Sequence, residues 1–160
     1  KKGQDSMDLI DGVKIKKLNT IRDSRGHLME MFRSDWPEFQ KFGQAYVTVC
    51  NPGYAKAWHY HKKQTDNFIC IKNTARVVLY DDRKNSKTKG KINEFVIGEK
   101  NPLLLQIPPL VRHGFRAQGK QKAYIVNIPD VLYNYKKPDE FRLPFNDKSI
   151  PYDWKVKKGG

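Results

Sequence analysis

Between residues 45 and 128 the chain is a succession of short runs rich in β-branched and aromatic residues, bounded by Gly, Pro, Asn or Asp. Runs of four to six residues with period-two patterning are too short for helices and have the composition of strands. They predict strands at 45–50, 57–61, 68–71, 75–80, 94–97, 103–107, 113–117 and 123–128. Phe68-Ile69-Cys70-Ile71 is apolar on both faces and is expected to be buried in the middle of a sheet. Gly119 in Gln118-Gly119-Lys120-Gln121 suits a tight hairpin turn joining the last two of these strands. Upstream, 13–18 reads as a strand, 23–26 as a turn and 28–32 as a second strand. One short helix is predicted next, with Ser34 or Asp35 as cap, Pro37 in its first turn, Glu38 favourable to the dipole and Gly43 as its stop. Many short strands with one helix give an all-β sandwich or jelly roll. Pro129, Pro138, Pro144 and Pro151 exclude regular structure from the last 30 residues, which are expected to wrap irregularly around the barrel.

A chain of 160 residues is about one domain. The domain is placed at 13–154, with tails at 1–12 and 155–160; residues 1–6 are set aside as leftover vector sequence ahead of Met7. No apolar run approaches the roughly 18 residues of a membrane span, and no basic start leads into an apolar signal core. A soluble cytoplasmic protein is therefore expected, with no membrane partner. Cys50 and Cys70 lack CxxC spacing and are too few for a disulfide framework, so both are read as buried thiols. The 31 Lys and Arg against 17 Asp and Glu leave a net charge of +14, which favours anionic partners. The basic residues are spread along the chain and form no nucleic-acid-binding motif, so a phosphorylated small molecule is the expected partner, not nucleic acid.

The chemistry concentrates in Ala57-Trp58-His59-Tyr60-His61-Lys62-Lys63-Gln64-Thr65-Asp66. On a strand, His59 and His61 share one face while Trp58 and Tyr60 look away. His113, after Ile107-Pro108-Pro109, is positioned in the second half of the chain to close the same pocket.

Gly53, His59-Tyr60-His61 and Asp66 resemble, in residue type and spacing, the first motif of the cupin superfamily, with Asp for the usual Glu; Pro108 to His113 resembles the second, with Leu110 in place of glycine. Within cupins the chain resembles the dTDP-4-dehydrorhamnose 3,5-epimerase family. Asp23-Ser24-Arg25-Gly26-His27-Leu28-Met29-Glu30 is similar to D-x-R-G-x-F-x-E, and Lys56-Ala57-Trp58-His59-Tyr60 to R-G-L-H-Y. The stretch from Asp81 to Gly90 is similar to D-x-R-x-x-S-P-T-x-G, that from Ile107 to Phe115 to I-P-x-G-x-A-H-G-F, that from Tyr135 to Glu140 to Y-x-P-x-x-E, and Ile150-Pro151-Tyr152-Asp153-Trp154 to a closing I-x-W-P region. The resemblance implies a double-stranded β-helix jelly roll, a homodimer, and action on a nucleotide-linked 4-keto-deoxysugar in surface-polysaccharide synthesis.

By the same resemblance His59 is the general base, work for which an imidazole is suited. Lys56, His61, Gln64 and His113 are substrate-binding, and Arg25 and Glu30 reach the nucleotide across a dimer interface. The chain departs from the family in two places. The catalytic tyrosine is expected about a dozen residues after His113, where Ile125-Val126-Asn127 stands; Tyr124 is offset along the strand, which leaves Tyr133 and Tyr135 as the candidate acids. The aspartate that pairs with the family's histidine is also missing, with Asp81 or Asp66 as substitutes. No cofactor is expected on this reading. The alternatives are a metal cupin, in which His59, His61, Asp66 and His113 bind a divalent ion, and a non-catalytic sugar-nucleotide-binding cupin.

Overall fold

The computed structural model describes residues 8–160. The assignment of residues 1–6 to vector sequence, with Met7 as the start, lies outside them. Among the described residues thirteen strands occur in chain order: β1 (Lys14–Lys17), β2 (Thr20–Asp23), β3 (Gly26–Met29), β4 (Tyr46–Cys50), β5 (Tyr54–Tyr60), β6 (Asp66–Lys72), β7 (Thr74–Tyr80), β8 (Ile92–Gly98), β9 (Leu103–Ile107), β10 (Arg112–Ala117), β11 (Ala123–Asn127), β12 (Phe141–Arg142) and β13 (Lys158–Gly159). One sheet has the order β1-β9-β6-β11-β4; the second has β12-β5-β10-β7-β8, with β13 added in parallel to β5. All other pairings are antiparallel, and β2–β3 forms a separate hairpin. The eight strands expected between 45 and 128 are all present, and the fold is an all-β cupin jelly roll.

The two large sheets face each other because their strands alternate. Ala75, Val77 and Leu79 of β7, Leu103, Leu105 and Ile107 of β9, and Ala123 and Ile125 of β11 all turn into one buried cluster with Phe68, Phe95 and Phe115. Full burial of such side chains contributes roughly 1.5–3 kcal/mol each. The opposite faces are also covered. Val78 and Tyr80 pack with Trp58, Ile150 and Trp154 beneath the C-terminal segment. Ile69 and Leu104 pack with Met29 at the end of β3 and with Met31, Phe32 and Trp36 from the segment after it.

That segment corrects the helix prediction, since no helix is present among the described residues. From 34 to 43 the chain makes only two successive tight turns, Trp36 N–H to Arg33 O at 3.2 Å and Phe39 N–H to Trp36 O at 3.0 Å. Laying Phe32 and Trp36 flat on the outer face of the five-stranded sheet overrides the local capping signals, as tertiary packing routinely does. Three strand details also differ. β2 was not foreseen, and β3 stops at Met29 because Met31 and Phe32 leave the hairpin to pack on the sheet. Ile71 is 40% exposed, because β9 pairs with β6 only from Asp66 to Ile69 and leaves its end uncovered. Residues 118–121 are not a hairpin: β10 and β11 belong to different sheets, and the loop crosses between them.

The C-terminal segment is largely irregular, as expected, but the exclusion of regular structure is corrected: it contributes two two-residue strands, β12 and β13, both paired with β5. β12 pairs Phe141 with Tyr60 and Arg142 with His59, so this segment is brought alongside the histidine strand. No helix among the described residues is long and apolar enough to cross a membrane. Cys50 and Cys70 are both free and buried.

Candidate active site

A cavity of about 460 Å³ opens between the two sheets. Tyr46 and Thr48 of β4 and Asp66 and Phe68 of β6 line it from one side; Lys56 and His59 of β5 and His113, Gly114 and Phe115 of β10 line it from the other. The C-terminal segment adds Tyr133, Lys137, Asp139, Glu140 and Arg142. Period-two alternation explains the inner wall: Tyr46 and Thr48 lie on the same face of β4 as the core residue Cys50. Gly114 is required where β10 crosses β5, since a Cβ there would lie 2.4 Å from Ala57 Cβ and 2.8 Å from Lys56 O.

Asp66 is the hub of the site. Its carboxylate is buried and accepts hydrogen bonds from Gln64 Nε2 (2.7 Å) and Asn127 Nδ2 (2.9 Å) on Oδ1. Its Oδ2 faces His61 Nε2 at 3.1 Å and His113 Nε2 at 3.0 Å. Burial opposes its ionisation, but the hydrogen bonds and charges of the two imidazoles outweigh it and hold the group well below the usual carboxylate range. His61 is raised in return. Burial pulls it down, and the hydrogen bond and charge of Asp66, with help from Asp139, push it up to about 9. Both His61 nitrogens face oxygen acceptors, Nδ1 donating to Asp139 O at 2.6 Å, so the ring is an imidazolium. Asp139 also accepts the backbone N–H groups of Lys62, Lys63 and Gln64 at 2.8–3.0 Å, which fixes the turn after β5.

His59 is the opposite case. Burial, reinforced by the charges of His113, Arg142 and His61, pushes it down to about 3. Its Nδ1 is buried without a hydrogen bond, and the nearest carboxylate is Glu140, whose Oε1 lies 3.7 Å away while bound to Arg142 Nη2 at 2.9 Å. An Nδ1–H tautomer aimed at Glu140 leaves Nε2 with its lone pair. The ring is thus a neutral base beside a fixed cation, two environments that drive neighbouring imidazoles apart.

Several sequence expectations meet in this cavity: His59, Lys56, His61, Gln64, His113 and Tyr133 all line it. Lys56 Nζ donates to Thr48 Oγ1 at 3.0 Å. Others do not. Tyr135 is 89% exposed and lies outside the lining, its ring edge-on to Tyr133 with centroids 5.0 Å apart. Arg25 is exposed and paired with Asp23, and Glu30 is paired with Arg33; neither reaches the cavity from within this chain. The substitutes suggested for the missing aspartate are corrected. Asp81 is committed to Arg83, Ser86 and Thr88 in its own turn, and Asp66 is committed to His61 and His113, so the carboxylate nearest His59 is Glu140.

A metal was the alternative use of these residues. Among the described residues, His61, Asp66 and His113 bring one donor atom each within 4.8 Å of one another, with His59 outside that group. In this structure the three are joined by hydrogen bonds, Asp66 Oδ2 lying 3.1 Å from His61 Nε2 and 3.0 Å from His113 Nε2; a divalent ion held there would have to displace the protons these contacts share.

Sequence reasoning missed Tyr46, Thr48, Asn127, Asp139 and Arg142. Alternation with Cys50 could have placed Tyr46 and Thr48 on the inward face of β4, though not assigned them a role. Asn127 falls in the stretch where the resembled family has its tyrosine, a signal that could have found it; Arg142 had none, because its place depends on β12 pairing with β5.

Comparisons with known proteins show the family. A family model described as dTDP-4-dehydrorhamnose 3,5-epimerase matches residues 8–159. The chain is 42% identical over 156 residues to the probable low-salt glycan biosynthesis epimerase Agl13 of Haloferax volcanii, covering 96% of this chain and all of that one. It is 44% identical over 146 residues to the spore coat polysaccharide biosynthesis protein SpsL of Bacillus subtilis, covering 91% and 97%. Among solved structures, a dTDP sugar isomerase from Desulfovibrio desulfuricans G20 superposes with a TM-score of 0.86 at 33% identity, covering 91% of this chain and 92% of the other.

Proposed function

This chain belongs to the dTDP-4-dehydrorhamnose 3,5-epimerase family, and from its geometry we propose that it inverts a stereocentre beside the ketone of a nucleotide-linked 4-keto-6-deoxyhexose, with His59 as the base. The observation that carries this reading is His59 itself: a half-buried imidazole, held neutral by its surroundings, on the wall of a 460 Å³ cavity, two residues from an imidazolium fixed by Asp66.

A proton next to a ketone becomes removable when the developing enolate is stabilised. His59 Nε2 takes the proton, and the C–H electron pair moves into the C=C–O⁻ system. His61, held cationic, together with Lys56 and His113, supplies positive charge or donated hydrogen bonds in a partly desolvated site, where such groups act most strongly. Lys56, Lys137 and Arg142 line the same cavity and suit the diphosphate of a nucleotide sugar. No divalent ion is needed for this chemistry. The names of the two relatives support a place in glycan or polysaccharide synthesis.

The test is solvent exchange. With a dTDP-4-keto-6-deoxyhexose in D₂O and EDTA present, wild-type protein is expected to wash deuterium into the carbon beside the ketone, read by NMR. His59→Asn is expected to abolish this while dTDP binding stays within a few fold. Wild-type exchange rates in His59→Asn refute the base. Tight binding without any wild-type exchange supports the sugar-nucleotide-binding alternative, and exchange lost only in EDTA supports a metal.

A further inference from the structure

Inversion needs more than a base. A proton removed from one face of the sugar must be replaced from the other, so the site requires an acid on the wall facing His59. His59 stands on β5, in the six-stranded sheet; the opposing wall is the five-stranded sheet. From the strands of that sheet the cavity receives Tyr46, Thr48, Asp66 and Phe68. Phe68 has no exchangeable proton. Asp66 is ionised and its two oxygens are filled by four donors. Thr48 has an alcohol proton, too weakly acidic for the work, and its oxygen receives Lys56. Tyr46 remains.

The phenol of Tyr46 is held for this use. Tyr46 is the register partner of Asn127 across β4–β11, and directly opposed residues on an antiparallel pair bring their side chains into contact. Asn127 is fully buried, and its Nδ2 donates to Tyr46 Oη at 2.8 Å. The same amide donates to Asp66 Oδ1 at 2.9 Å. Tyr46 Oη therefore accepts from Asn127, which fixes the oxygen and leaves its own O–H free to donate to a group in the cavity that Tyr46 lines. Burial first, then the charge of Asp66, pushes this hydroxyl up to about 12, so it carries its proton at working pH.

We propose that Tyr46 is the acid that protonates the enolate on the face opposite His59, with Asn127 as the residue that positions it. The proposal rests on the epimerase reading above. The step balances without any redox partner: the C–H bond breaks to His59 Nε2, the enolate carbon takes the Tyr46 O–H proton, and the ketone reforms. The phenolate then recovers a proton from solvent, and the imidazolium returns its own.

Tyr46→Phe separates the two halves of the reaction. In D₂O with dTDP-4-keto-6-deoxy-D-glucose, His59 should still remove a proton and return deuterium to the same face. Deuterium wash-in is expected within about ten-fold of wild type, while formation of the inverted sugar falls by about 10²–10⁴, the usual worth of a positioned acid. Asn127→Ala is expected to reduce inversion in the same direction by a smaller factor, with dTDP affinity within a few fold in both variants. Inversion by Tyr46→Phe at the wild-type rate overturns the proposal, and loss of inversion in Tyr133→Phe with retention in Tyr46→Phe moves the acid to the C-terminal segment. A wild type that neither exchanges nor inverts overturns the epimerase reading, and Tyr46 with it.

Discussion

Replacing Asp66 with Asn removes one charge and almost no volume, so its effect isolates what the carboxylate does for the two imidazoles. In the native protein His61 is lifted from 6.5 to about 9, which corresponds to about 3 kcal/mol of interaction that favours the folded state. An amide keeps an oxygen for Gln64 Nε2 and Asn127 Nδ2, but it turns an NH₂ group towards His61 and His113, neither of which can then donate to it. Removing one partner of a buried ion pair typically destabilises by about 3–5 kcal/mol. We therefore expect Asp66→Asn to lower stability by about that amount at pH 6, measured by urea unfolding. The sign of the pH dependence follows from His61 being raised. Its contribution is fully present below its ordinary pKa of 6.5 and is lost as pH climbs through about 9. Wild type loses that stabilisation on the way to pH 9.5, whereas Asp66→Asn has none of it to lose. The gap between the two proteins should narrow by up to about 3 kcal/mol between pH 6 and pH 9.5. An equal gap at both pH values, or no gap at pH 6, refutes the view that Asp66 serves to hold His61 as a cation.

Two further outcomes are expected. His59 is pushed down to about 3, so the deuterium wash-in rate at saturating substrate should stay level from pH 8 to pH 5; a rate halved near 6.5 would show an ordinary imidazole doing the work. The protein should elute as a homodimer, because Ile21 and Leu28 face each other on the β2–β3 hairpin, are each 60% exposed, and form a strand pair joined to neither sheet, an arrangement marginal on its own in water. Ile21→Glu with Leu28→Glu should shift elution to the monomer; an unchanged elution volume places the dimer contact elsewhere.

The strands from 45 to 128 were legible in the local pattern, because short β-branched and aromatic runs between turn residues have few other ways to bury themselves. Alternation along one strand also sufficed to put His59 and His61 on one side and Trp58 on the other, since a period of two is a local property of the backbone. Resemblance supplied Lys56 and His113 as neighbours of that pair. The rest depends on how distant segments pack. The segment 34–43 carries the caps of a helix, yet burying Phe32 and Trp36 on the outer sheet face outweighs a short helix's own weak preference. Residues 118–121 have the glycine of a hairpin, yet strands 10 and 11 go to separate sheets because each must cover a different face of the core. Protonation was equally hidden. His59 and His61 are two residues apart in chemically similar sequence, and one is neutral while the other is charged because Asp66, Asp139 and Arg142 arrive from strands and loops that only the packed molecule brings together. Tyr46 shows the same limit: nothing near it in the chain marks it as an acid, and it becomes a candidate only when β4 and β11 pair in the register that sets Asn127 beside it.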